Sequence, residues 1–124
     1  MDIHSGYRAG MFDGEAELSW LRQGWRGLRL YGRTAKAAIA AGDMVQKAEM
    51  ISRADFLLSL LCGILDTDSG ATLGPALLTI YTALRHTLLL ANSSNDTVAL
   101  DDFENALAIL DRDMIEPETT MSTA

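Results

Sequence analysis

Leu18, Leu21, Trp25, Leu28, Gly32, Ala35 and Ile39 follow one another at alternating steps of three and four residues. That interval matches the 3.6-residue turn of an α-helix and sets all seven on one stripe, whereas a half-buried strand needs every second residue apolar. A helix with one apolar stripe must bury it against a partner. The rest of the chain therefore has to supply matching faces, and it does so with the same period.

"AGD" at Ala41 to Asp43 interrupts the first stripe. Gly42 suits the left-handed residue that closes a helix, Asp43 can cap the next one, and Gln46 three residues later completes a capping-box pattern. A second helix is expected from about Asp43 to Leu65. Met44, Ala48, Ile51, Leu58, Cys62 and Leu65 lie on one stripe, and Met50, Ala54, Leu57, Leu61 and Ile64 lie on the stripe beside it. "DTDSGAT" at 66–72 supplies turn chemistry. Pro75 is tolerated only in the first turn of a helix, so a third helix is expected to start near Thr72.

Leu73, Leu77, Ile80, Leu84, Thr87 and Ala91 make the third stripe, with Tyr81 and Leu88 beside it. "NSSND" ends that helix, and Asn95 or Asp96 can cap a fourth, whose stripe is Phe103, Leu107, Leu110 and Met114 with Ala106 and Ile109 flanking. Short connections favour antiparallel neighbours. The expected fold is all-α, an antiparallel up-down four-helix bundle with a short N-terminal segment packed on it. Residues 1–15 form that segment, 16–115 the bundle and 116–124 a disordered tail.

The 124 residues suffice for one hydrophobic core without disulfide or metal. The formal charge of -7 is concentrated near the C-terminus, in Asp96, Asp101, Asp102, Glu104, Asp111, Asp113, Glu116 and Glu118. Such a surface repels polyanions, so nucleic acid is not an expected partner. Arg22, Arg26, Arg29, Arg33 and Lys36 form a basic stripe on the first helix, read as a solvated face or as the partner of the acids on the fourth. The lone Cys62 reads as a small hydrophobe in a reducing compartment. Residues 1–15, with Asp2, Tyr7, Arg8, Asp13 and Glu15, have no apolar segment of the signal-peptide kind, and a cytoplasmic location is expected.

Catalytic patterns do not assemble. A di-iron bundle needs Glu-x-x-His from two helices, and neither His4 nor His86 belongs to such a pair. "SGATLG" at Ser69 to Gly74 lacks the lysine and spacing of a phosphate-binding loop. Ser52, Ser59 and Thr79 have no neighbouring base. No enzyme, metal or cofactor is expected.

What remains is surplus apolar helix. "LLSLLCGILD" at Leu57 to Asp66 is too short to cross a bilayer, which takes roughly 20 residues, yet exceeds the three core positions in seven that a bundle helix requires. Together with Leu78, Leu89 and Leu90 it suggests a groove for an amphipathic helix of another chain. A thick core, a homodimer face on a small self-associating structural bundle, and an internal ligand cavity are the alternatives.

Read in order, "AAIAAGD" at Ala37 to Asp43, "LDTDSG" at Leu65 to Gly70 followed by Ile80-Tyr81, and "LLLANSSND" at Leu88 to Asp96 resemble the flagellar secretion chaperone FliS family, with Tyr7 where the family carries an N-terminal tyrosine. The likeness covers about residues 7 to 110. It departs at Ala16-Glu17, at Gly24-Trp25-Arg26-Gly27 and at Gly70-Ala71-Thr72, and it lacks the family's late tryptophan. The resemblance implies a cytoplasmic export chaperone that holds the disordered C-terminal segment of flagellin in an apolar helical groove, which prevents premature polymerisation before flagellar type III secretion. It names flagellin as partner, with export-gate components and a weak homodimer as further associations, and no stable membrane insertion. The client-binding residues expected on this basis are Tyr7, Met44, Ile51, Leu58, Leu73, Leu77, Tyr81 and Leu84. By the same analogy the leader near Tyr7 lies over the groove and moves aside on binding.

Overall fold

The computed structural model describes the backbone of residues 15–65 and 73–123 and the side chains of 19–65 and 73–113. The expected turn at 66–72, the leader and Tyr7 lie outside the described residues. Four helices follow in order among those described: α1 Glu15–Ala41, α2 Met44–Gly63, α3 Leu73–Ser94 and α4 Thr97–Thr123. α1 packs on α2 and α4, and α3 packs on the same two, so the helices form a closed ring of four, each beside its neighbours in sequence. The all-α four-helix bundle read from the stripes is the fold.

Local chemistry sets the helix ends. Gly42 has φ +76°, its N–H donates to the Ile39 carbonyl at 3.1 Å and the next N–H, of Asp43, donates to Ala38 at 2.8 Å. These two bonds satisfy carbonyls that the end of α1 would leave bare. The Asp43 carboxylate then accepts the Gln46 N–H at 3.0 Å and starts α2. Only half of the capping box forms. The Asp43 N–H that Gln46 would have taken is already bonded to Ala38.

The same device recurs between α3 and α4. Asn95 takes the left-handed position with φ 52°, the Asp96 N–H donates to the Ala91 carbonyl at 3.3 Å, and the Asp96 carboxylate accepts the Ala99 N–H at 3.1 Å. Of the two candidate caps, Asp96 therefore caps α4 and Asn95 closes α3. A Cβ at Gly42 meets nothing within 4 Å, so Gly42→Ala isolates the backbone cost of the left-handed conformation. We expect a loss of about 1–2 kcal/mol, read as a lower urea midpoint at unchanged slope.

The core is made by the stripes. Leu21, Trp25, Leu28 and Ala35 of α1 meet Ile51, Ala54, Leu58, Leu61 and Leu65 from α2, Leu77, Tyr81, Leu84, Leu88 and Ala91 from α3, and Ala99, Leu100, Phe103, Leu107 and Leu110 from α4. Across the diagonal, Trp25 Nε1–H donates to the Tyr81 hydroxyl at 3.0 Å, a buried bond between the two helices that do not otherwise adjoin. Gly32 lets α4 close in: a Cβ there would stand 3.1 Å from the Phe103 ring.

The basic stripe of α1 is paired along its length with α4. Arg22 meets Asp111 at 2.9 Å, Arg33 meets Glu104 at 2.9 Å and Lys36 meets Asp101 at 2.6 Å. Partly exposed pairs of this kind contribute little individually, about 0.2–1 kcal/mol. Collectively they favour the antiparallel register of α1 on α4, because residue numbers rise on one helix as they fall on the other.

Candidate functional site: the seams beside α2

The second stripe of α2 is mostly absorbed by α1. Ala54 and Leu61 are fully covered, and Met50, Leu57 and Ile64 are partly buried against the core. Leu61 and Leu57 pack over Gly24 and Gly27 of α1, where a Cβ would meet their methyls at ordinary contact distances of 3.6 and 3.7 Å. The extra leucines of α3 behave differently. Leu78, Leu89 and Leu90 point outward, as do Val45, Phe56 and Leu60 of α2 and Trp20 and Leu30 of α1.

Two grooves flank α2. Between α2 and α3, a groove of about 500 Å³ is lined by Ala48, Ile51, Ser52, Asp55, Arg85, His86, Leu88, Leu89 and Asn92. Its floor is apolar, formed by Ile51 and Leu88, which are 6% and 1% exposed. Between α2 and α1, a second groove of about 420 Å³ is lined by Tyr31, Ser52, Arg53, Phe56, Leu57 and Leu60. Ser52 borders both. Small side chains at Ala48 and Ser52 keep the ridge of α2 low between them.

Polar groups frame the α2–α3 groove. Arg85 reaches across from α3 and donates twice to the Asp55 carboxylate, at 2.8 and 3.2 Å. That contact pushes the guanidinium pKa further up. At the other end Lys47 is buried to 8% exposure, and its ammonium donates to the Asn92 carbonyl at 3.0 Å and to Asn95 Oδ1 at 2.6 Å. A buried ammonium is tolerated only when so bonded, and here it also satisfies a carbonyl in the last turn of α3.

The expected contact residues divide sharply. Leu58, Leu77, Tyr81 and Leu84 are core residues at 0 to 4% exposure, and Ile51 shows only as groove floor. Regular spacing put them on stripes, and the stripes face inward because they form the seams with the other helices. Met44, at 37% exposure, and the partly buried Leu73 keep surface of their own. Sequence periodicity missed Phe56 and Leu60 as groove residues, whose only signal was an apolar side chain off the stripe, and it placed Ala48 on a stripe without marking it as groove.

Nothing in these grooves is poised for covalent chemistry. Burial pushes the Cys62 thiol pKa up, with Arg85 pulling weakly the other way, so the sulfur stays protonated at neutral pH. Among the described residues no group of three His, Cys, Asp or Glu could hold a metal ion. α3 is long and apolar enough, by length and composition, to cross a bilayer, but its leucine stripe is part of the bundle core.

The class defined by these features is a helical-bundle scaffold with an apolar seam left open on either side of one helix. Residues 21–113, essentially the whole described bundle, match the model of the family described as flagellar protein FliS, and the chain belongs to that family. It is therefore a chaperone-family protein of flagellum biogenesis and protein export. No curated protein matches it.

Proposed function

We propose that this protein is a cytoplasmic export chaperone that holds the C-terminal segment of flagellin along α2, anchored in the α2–α3 groove, and so prevents subunits from polymerising before flagellar type III secretion. The observation that carries the reading is the α2–α3 seam, with its apolar floor of Ile51 and Leu88, rimmed by the exposed Leu89. An amphipathic helix docks in such a groove through anchors at helical spacing. The segment's other apolar side chains continue over Ser52 into the second groove at Phe56 and Leu60. Met44 adds an adaptable contact at the near end of α2.

A segment that folds on binding loses roughly 2–5 kcal/mol to ordering, so it needs both grooves rather than one. No chemical step is involved, and we assign no cofactor. Calorimetry with a synthetic peptide of the host flagellin's C-terminal segment tests this: saturable one-to-one binding supports it, and the absence of heat and of any induced helix by circular dichroism removes it.

A self-associating structural bundle is the second reading, favoured by the exposed Trp20 and Leu30 of α1 and Phe56 and Leu60 of α2. Light scattering separates the two, because a constitutive dimer unaffected by the peptide supports the rival. Export-gate contacts and the covering of the groove by the leader at Tyr7 belong to the proposal as well.

A further inference from the structure

We infer that the Asp55–Arg85 ion pair is a cross-bar over the client groove, one that a bound helix must lift, and that it limits how readily the groove accepts a long client. The inference rests on reading the α2–α3 seam as the client site.

Both side chains line the groove, and their two hydrogen bonds span it from α2 to α3. On one side of the bar lie Ile51, Leu88 and Leu89. On the other side the same seam continues, since Ser59 and Cys62 follow Asp55 at helical spacing and Thr82 and Leu78 precede Arg85 likewise. Cys62 and Leu78 both retain exposed surface there. The seam is thus a track of mixed apolar and small polar side chains, with Ser59 and Thr82 beyond the pair, cut in two by two charges.

The two crossings of the track are unequal. Lys47 is buried and bonded to two oxygens, so displacing it would strand an ammonium away from water. Asp55 and Arg85 are 44% and 43% exposed and return to water at little cost. Between Lys47 and Asp55 the track runs about 12 Å at the rise of an α-helix, room for roughly two turns of a docked helix. Along this seam, a docked helix longer than that can extend only toward the C-terminal end of α2, by opening the bar.

The test compares four proteins by calorimetry against the same synthetic flagellin C-terminal peptide: the unmodified chain, the single variant Asp55→Asn, the neutral pair Asp55→Asn with Arg85→Gln, and the reversed pair Asp55→Arg with Arg85→Asp. An exposed ion pair that no longer has to be broken is expected to tighten binding by up to about fivefold in the neutral pair. The reversed pair rebuilds the bar and is expected to return to the unmodified affinity. Asp55→Asn alone, a near-isosteric change, is expected to move the affinity in the same direction as the neutral pair. Equal or weaker binding by both neutralised variants, with unchanged melting temperatures, overturns the cross-bar while leaving the groove as client site intact. Failure of all four proteins to bind removes groove and bar together.

Discussion

Replacing Trp25 with alanine is expected to cost about 3–5 kcal/mol of folding stability, the range for truncating a large buried aromatic side chain. Trp25 is fully buried and reaches the diagonally opposite helix, where its indole N–H donates to the Tyr81 hydroxyl. The substitution removes a large fully buried side chain from the core and leaves that hydroxyl without its donor. Because a domain of this size holds about 5–15 kcal/mol in all, the variant should melt far earlier in a urea titration. A midpoint within experimental error of the unmodified protein would show that the diagonal contact does not organise the core.

The burial of Tyr81 has a pH signature. Burial pushes the Tyr81 pKa up to about 12 from its ordinary 10, only partly offset by the hydrogen bond from Trp25. The folded state therefore holds the proton more tightly than the unfolded chain. Its contribution to stability is complete below about pH 10 and is lost as pH rises through about 12, because the unfolded chain ionises first. Alkaline unfolding should accordingly coincide with the rise in tyrosinate absorbance.

The second large effect concerns recognition. Leu89→Asp and Phe56→Asp place a carboxylate where each groove presents an exposed apolar side chain, at 62% and 65% exposure respectively. Folding should be nearly indifferent to either change, since neither side chain belongs to the core. Client binding should not be. An apolar anchor that loses its partner and meets an uncompensated charge is expected to weaken binding by about 30-fold or more, the scale of an interface hot spot. Asp at Ile51 or Leu77 would answer a different question, because those positions are 6% and 1% exposed and a carboxylate there would attack the bundle itself.

That contrast separates what a helix buries from what it offers. Steps of three and four identified the core: Leu21, Trp25 and Leu28, then Leu77 and Leu84, then Phe103, Leu107 and Leu110 are all inside. Caps at Gly42, Asp43 and Asp96 placed the helix ends, because they depend on one or two residues and not on distant contacts. Periodicity, however, says little about the surface presented to a partner. The expected client residues were drawn from the strongest stripes and so fell largely in the core.

Residues off the stripe carried the better signal. Leu78, Leu89 and Leu90 were recognisable as surplus from sequence and do face outward. The neighbouring surplus on α2 looked equivalent but packs against α1, where Leu61 and Leu57 lie over Gly24 and Gly27. Asp55 and Arg85 lie 30 residues apart in the chain, and only the antiparallel register of α2 and α3 brings them together. Likewise Lys47 reads as an ordinary surface lysine until the end of α3 arrives beside it.

The proposed chaperone function requires that the open seam of α2 and α3 take a foreign helix. Isothermal calorimetry of the flagellin C-terminal peptide against the unmodified protein and Leu89→Asp, with melting curves for both, measures this in one comparison. The expected result is saturable one-to-one binding that Leu89→Asp weakens about 30-fold or more while the two melting temperatures stay together. Binding of equal strength by the two proteins, or by neither, would rule the seam out as the client site.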